Sequence, residues 1–61
     1  MDVFYIIQNK LEKETGRIEP KVLPRIPVEG DIIKLADRLH YTVLKVVFDI
    51  LNPKKVILIL E

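Results

Sequence analysis

His40 is the one imidazole among 61 residues, and the chain has no serine, cysteine or tryptophan. A histidine-backed nucleophile needs a Ser or Cys oxygen or sulfur to attack with, so triad chemistry is excluded within one chain. Zinc takes three or four ligands at paired spacings. His40 with scattered carboxylates offers no such pairing, and beside an expected turn it reads as a solvated side chain. Glu29, Asp31, Asp37 and Asp49 are the acids closest to a general acid–base set, but catalytic carboxylates need a pocket that perturbs their pKa. A chain this short rarely encloses one, and Asp31, directly after Gly30, fits an Asx-type turn bond instead. Gly16 and Gly30 are the only glycines, too few for a phosphate-cradling loop. These residues point away from an enzyme, and no cofactor, metal or small-molecule substrate is expected.

Binding chemistry is better supplied. Arg17, Lys21 and Arg25 recur every fourth residue, Arg38 and His40 share one turn, and Lys54 and Lys55 share another. If these turns converge they make a cationic patch. Small barrels bind single-stranded nucleic acid through such a groove plus aromatic stacking, for which Tyr5 and Tyr41 are the available platforms. Against this, Glu12, Glu14, Glu19, Glu29 and Asp37 interleave with the same cations. Ten basic and nine acidic residues leave a net charge of only +1, feeble for phosphate binding. Nucleic-acid binding is therefore the second reading, and Arg17, Lys21, Arg25, Arg38, Lys54 and Lys55 are its candidate patch.

The first reading comes from apolar excess. Thirty residues are apolar, 24 of them Val, Ile or Leu, which excludes a disordered polar chain. The length allows a single small domain over residues 1–61. The apolar runs Val3–Ile7 and Val56–Leu60 are too short for the roughly 7–15 residues of a signal peptide or the about 20 of a membrane span, so a cytoplasmic protein without a membrane partner is expected.

The elements that position these residues read as strands near 2–10, 17–23, 31–35, 40–50 and 55–60. Val3 to Ile7 is β-branched and aromatic. Pro20 breaks a return strand and belongs on an edge. Gly16, Glu29-Gly30-Asp31 and Asn52-Pro53 read as turns. Residues 31–51 are ambiguous. Lys34, Arg38, Tyr41, Lys45 and Asp49 share one side of a helical wheel, which gives an alternative α+β fold with a helix at 31–51. The β reading makes two strands with a turn at Ala36–Leu39, and a bulge at Leu44-Lys45 that brings Val46 and Phe48 to the same face as Tyr41 and Val43. Stiff side chains at Thr42, Val43, Val46, Val47 and Ile50 favour strands, and a helix would strand residues 12–30 as a long structureless loop. The expected class is all-β, a small five-strand barrel.

The run Ile26-Pro27-Val28-Glu29-Gly30-Asp31-Ile32-Ile33-Lys34-Leu35, then Tyr41-Thr42-Val43 and Val46-Val47-Phe48-Asp49, resembles short uncharacterised bacterial and phage-borne proteins with a small SH3-like β-barrel. The resemblance spans about residues 20–60. It implies the SH3-like barrel and carries no activity or site residues. It departs at Ala36-Asp37-Arg38-Leu39, where a glycine-containing hairpin turn is usual.

In such a barrel a strand alternates apolar-in and polar-out, yet the two terminal runs do not alternate. With Phe4 and Ile6 inside, Val3, Tyr5 and Ile7 face away; with Val56, Leu58 and Leu60 inside, Ile57 and Ile59 face away, joined by Val47. Contiguous apolar surface of this kind marks a contact site. The expected function is a protein-interaction module, a homodimer or an accessory subunit, docking through Ile7, Val47, Ile57 and Ile59.

Overall fold

The computed structural model describes residues 1–51 and 53–61. Its strands are β1 (Asp2–Ile7), β2 (Glu14–Ile18), β3 (Ile32–Lys34), β4 (His40–Asp49) and β5 (Lys55–Leu60), with one 3-10 turn at Pro20–Val22. Among the described residues there is no α-helix. They form one sheet in the order β2-β1-β5-β4-β3. The central pair β1–β5 is parallel and the other three pairings are antiparallel. The sheet curls into a half-barrel, an all-β architecture consistent with a small SH3-like barrel.

The helical alternative fails because 31–51 is a strand, a turn and a ten-residue strand. Val43, Val46, Val47 and Thr42 fit a pleated surface better than a helix. The register of β4 on β5 shifts between Val43 and Lys45, at the position of the expected bulge. Past it, Val46 stands opposite Leu58 and Phe48 opposite Val56, which keeps Tyr41, Val43, Val46 and Phe48 on the concave face. Thr42, Lys45, Val47 and Asp49 face outward.

The core lies in that concavity: Val3, Ile7, Tyr41, Val43, Val56, Leu58 and Leu60 are buried. Leu23, Ile26, Ile33 and Leu35 pack against it, and Pro27 is buried with them. The proline-rich segment after β2 is thus the lid of the concave face. Pro20 opens its 3-10 turn, a position where a missing N–H leaves no bond unmade.

Three expectations need correction. The return strand is Glu14–Ile18 rather than 17–23: its ladder with β1 ends at the Val3–Ile18 pair, and Pro20, whose fixed φ suits the start of a helical turn, opens the 3-10 turn beyond it. Gly16 is no turn residue: it pairs with Tyr5 in the middle of β2, and a Cβ there would overlap the Tyr5 ring. Ile7, expected on the docking surface, is fully buried. β1 runs in the opposite phase, with Val3, Tyr5 and Ile7 inside and Phe4 and Ile6 outside. The polar residues Asp2 and Gln8 share the phase of Phe4 and Ile6 and fix that side toward water.

Two turns shape the β3–β4 side. Asp31 N–H donates to the Val28 carbonyl at 3.1 Å, closing a turn in which Gly30 has φ +93°; Gly30 and Asp31 then bond Val43. In the hairpin turn, Arg38 holds φ 67°, the left-handed position a glycine would usually take. Asp37 accepts the Leu39 N–H there at 2.9 Å. Asn52, half of the expected Asn52-Pro53 turn, lies outside the described residues.

Candidate functional site

The outer face of β1, β5 and β4 is an ordered ladder. One row reads Arg17, Phe4, Ile57, Val47, and the next reads Thr15, Ile6, Ile59, Lys45. A third row at the end of the sheet is charged: Asp2, Lys55, Asp49. The apolar middle is therefore framed by polar groups. Phe4, Ile6, Ile57 and Ile59 are half-buried by one another, and Val47 is 44% exposed. Phe4, Ile6 and Ile57 with Thr15, Arg17 and Lys55 line an open depression of about 460 Å³. Of the residues expected to dock, Val47, Ile57 and Ile59 share this face. Phe4 and Ile6 stand in the place expected for Ile7, and the polar bracket of Asp2 and Gln8 is the signal in the sequence that points to them.

The frame is electrostatically satisfied. Arg17 reaches Asp2 at 3.2 Å and Glu19 at 3.5 Å, and hydrogen bonding to Asp2 raises its pKa further. Lys55 lies 3.7 Å from Asp49. Arg25 clamps Asp31 with two bonds of 2.7 and 3.2 Å, and the Asp31 carboxylate also accepts the Val28 N–H at 2.8 Å. The Arg25 guanidinium, then the Val28 amide, lower the Asp31 pKa to about 2. Asp31 is thereby a loop staple.

The structure does not gather the six cations of the candidate nucleic-acid patch. Arg17 and Lys55 flank one depression, with Lys54 adjacent in sequence. Arg38 precedes β4 and Lys54 follows it, so the two turns sit at opposite ends of ten strand residues, roughly 30 Å apart at about 3.3 Å per residue. Lys21 is exposed on the 3-10 turn, and Arg25 is held by Asp31. The stacking platforms are also engaged. Tyr41 is 5% exposed and donates its hydroxyl to Asp37 at 2.6 Å. Tyr5 lies over Gly16.

A polar cluster that the sequence did not announce sits at the Arg38 end. Lys10 pairs with Glu14 at 2.8 Å and lies 5.7 Å from the centre of the Tyr41 ring. The bond from Tyr41, then the Leu39 amide, hold the Asp37 pKa below its ordinary value, and Asp37 in turn raises that of Tyr41. The side chains of this cluster bond one another, so it pins the loop after β1 to the hairpin turn. Among the described residues no three His, Asp or Glu side chains are grouped to hold a metal, and no helix is long and apolar enough to cross a membrane. No family model, curated protein or solved structure matches the chain.

Proposed function

We propose that this chain is a non-enzymatic protein-interaction module that docks through the outer face of β1, β5 and β4, as a homodimer or as an accessory subunit. The observation that carries the reading is the parallel β1–β5 pair at the centre of the sheet. Parallel strands are characteristically buried on both faces and read as unbroken apolar runs. Val3–Ile7 and Val56–Leu60 have that composition, yet the lid of residues 23–27 covers only their concave side. Exposed area supports the reading too. The chain exposes 4704 Å², whereas a compact monomer of its mass exposes about 4,100 Å². The difference approaches the roughly 800 Å² that one partner buries in a standard interface.

Sedimentation velocity at micromolar concentration tests it, with Ile57→Glu and Ile59→Glu as the perturbation. The expected result is a complex that these changes dissociate while the strand spectrum in circular dichroism is kept. Variants that unfold instead would show the face to be core. Weak single-stranded nucleic-acid binding through the cations around Arg17, Lys54 and Lys55 is the lesser reading. A salt titration with an oligonucleotide addresses it, since electrostatic binding weakens steeply with salt.

A further inference from the structure

The edge of β4 offers a second, separate surface. β3 pairs only with His40–Thr42, and Val43 bonds Gly30 and Asp31. The Val28–Asp31 turn then carries the chain off the sheet. From Lys45 to Asp49, β4 is paired with β5 alone among the described residues. Its other side is an unpaired row of backbone donors and acceptors. Beside it lies an open crevice of about 280 Å³ between residues 26–29 and the side chains of Val46 and Phe48. Phe48 is 59% exposed and Val47 44%. Natural edge strands are blunted by prolines, by charge or by a covering loop. This one carries a lysine at one end and an aspartate at the other, with three apolar residues between.

We infer that the edge Lys45–Asp49 pairs with the same edge of a second copy, antiparallel about a twofold axis through Val47. The segment is self-complementary in that register. Lys45 stands opposite Asp49 of the other copy, Val46 opposite Phe48, and Val47 opposite itself. Directly opposed residues share a face of the sheet. The two charged pairs and the Val47 pair therefore fall on the outer face, and the two Val46–Phe48 pairs on the concave one. A twofold normal to the sheet permits only registers that keep the faces matched. Shifting by two residues either way sets Lys45 against Val47 or Leu51 and removes both ion pairs. Lys45 is exposed. Asp49 accepts the Leu51 N–H at 3.0 Å through one oxygen and meets Lys55 at 3.7 Å through the other, and a carboxylate with about four lone-pair sites keeps acceptor capacity for a further cation beside these contacts.

The pairing deepens the reading given under Proposed function and rests on it only for what finally covers the outer face. Edge pairing about this axis places the two outer faces on the same side. They join across Val47 into one apolar platform of twice the area.

The chain has no cysteine, so Val47→Cys reports on the axis directly. Residues opposed across antiparallel strands have Cα atoms roughly 4.5–5.5 Å apart, within disulfide reach. Mild oxidation of Val47→Cys should give a covalent dimer, and Ile57→Cys should not. In sedimentation equilibrium, Lys45→Asp alone and Asp49→Lys alone should each weaken self-association on the order of tenfold, since each sets like charges opposite at both pairs. Mixing the two variants should restore it, because the heterodimer has both pairs complementary. A wild-type chain still monomeric at roughly 1 mM would overturn the inference. So would cross-linking of the Ile57→Cys variant without cross-linking of Val47→Cys, which leaves docking by the outer face standing without the edge. Conversely, a covalent Val47→Cys dimer that an added Ile57→Glu leaves intact, with no complex for Ile57→Glu to dissociate, supports the edge and removes the outer-face reading.

Discussion

Neighbouring residues on β5 should answer substitution in opposite ways. Leu58 is fully buried, stands between Tyr5 and Val46 on the two flanking strands, and has no exposed side into which the site could collapse. Leu58→Ala should therefore fall in the upper two-thirds of the range for such truncations, about 3–5 kcal/mol. A 61-residue chain has a total stability of about 3–9 kcal/mol at roughly 0.05–0.15 per residue. The variant should be largely unfolded or melt at least about 12 °C lower, at roughly 4 °C or more per kcal/mol for a domain this small. Ile57 points the other way, on the face without a lid. Ile57→Thr keeps a β-branched side chain and gives up only partly buried methyl surface, so it should cost about 1 kcal/mol. Urea and thermal unfolding followed by circular dichroism, at a concentration low enough to hold the chain monomeric, compares the two. Equal losses would mean that Ile57 is as enclosed as Leu58, and the assignment of inside and outside on the central pair would be wrong.

Three further outcomes follow from single positions. Gly16→Ala should destabilise by about 1–3 kcal/mol, the range for overpacking, because its methyl collides with the Tyr5 ring; Tyr5→Val in the same chain should recover part of the loss in urea unfolding. Arg38→Gly should raise the urea midpoint slightly, since a left-handed φ of 67° strains an L-residue by roughly 1–2 kcal/mol, offset in part by the greater freedom of glycine when unfolded. The depressed Asp31 pKa sets a pH dependence. A carboxyl held at about 2 when folded and near 3.9 when unfolded binds protons more readily in the unfolded chain. Its contribution is thus complete above about pH 4–5 and fades as pH falls toward 2. The stability difference between the native chain and Asp31→Asn should be constant near neutrality and shrink across that acid window; a difference that does not change with pH would remove the clamp.

What can be read in the sequence depends on where polar residues interrupt the apolar ones. In β4, Thr42, Lys45 and Asp49 mark the water side, so both the alternation and the bulge before Val46 are legible. The same spacing also draws a helical stripe through Lys34, Arg38, Tyr41, Lys45 and Asp49, and what separates the two periods is side-chain stiffness and the long structureless loop a helix would leave at 12–30. β1 has no polar residue within Val3–Ile7, so its phase cannot be set from inside the run, and the expectation for Ile7 falls on the wrong face. β2 is hidden for a different reason. Glu14-Thr15-Gly16-Arg17-Ile18 has the composition of a turn, and the ring of Tyr5 that makes glycine suitable there comes from another strand. Arg38 in a left-handed turn is likewise invisible, because the bonds that hold it run through Asp37 and Leu35 and not through a glycine.

The parallel centre of the sheet is what makes the outer face hard to read as ordinary surface. An antiparallel meander of this length could place a charge at every second residue and stand in water alone. Here the polar positions on the outer phase of β1 and β5 are confined to the ends, with Asp2 and Lys55 at one limit and Gln8 and Glu61 at the other. Between them Phe4, Ile6, Ile57 and Ile59 lie side by side. Polar residues around an apolar centre are the layout of a docking surface, whose rim stays wet while its middle is desolvated. Replacing Phe4 and Ile6 by threonine would cost little in strand propensity and would remove two of the five apolar side chains of the patch, giving up only partly buried surface at about 1–2 kcal/mol each. If the double variant still folds by circular dichroism but loses self-association or capture by a partner, binding is the property those two residues serve; a folded variant that keeps the association would take them out of the docking face.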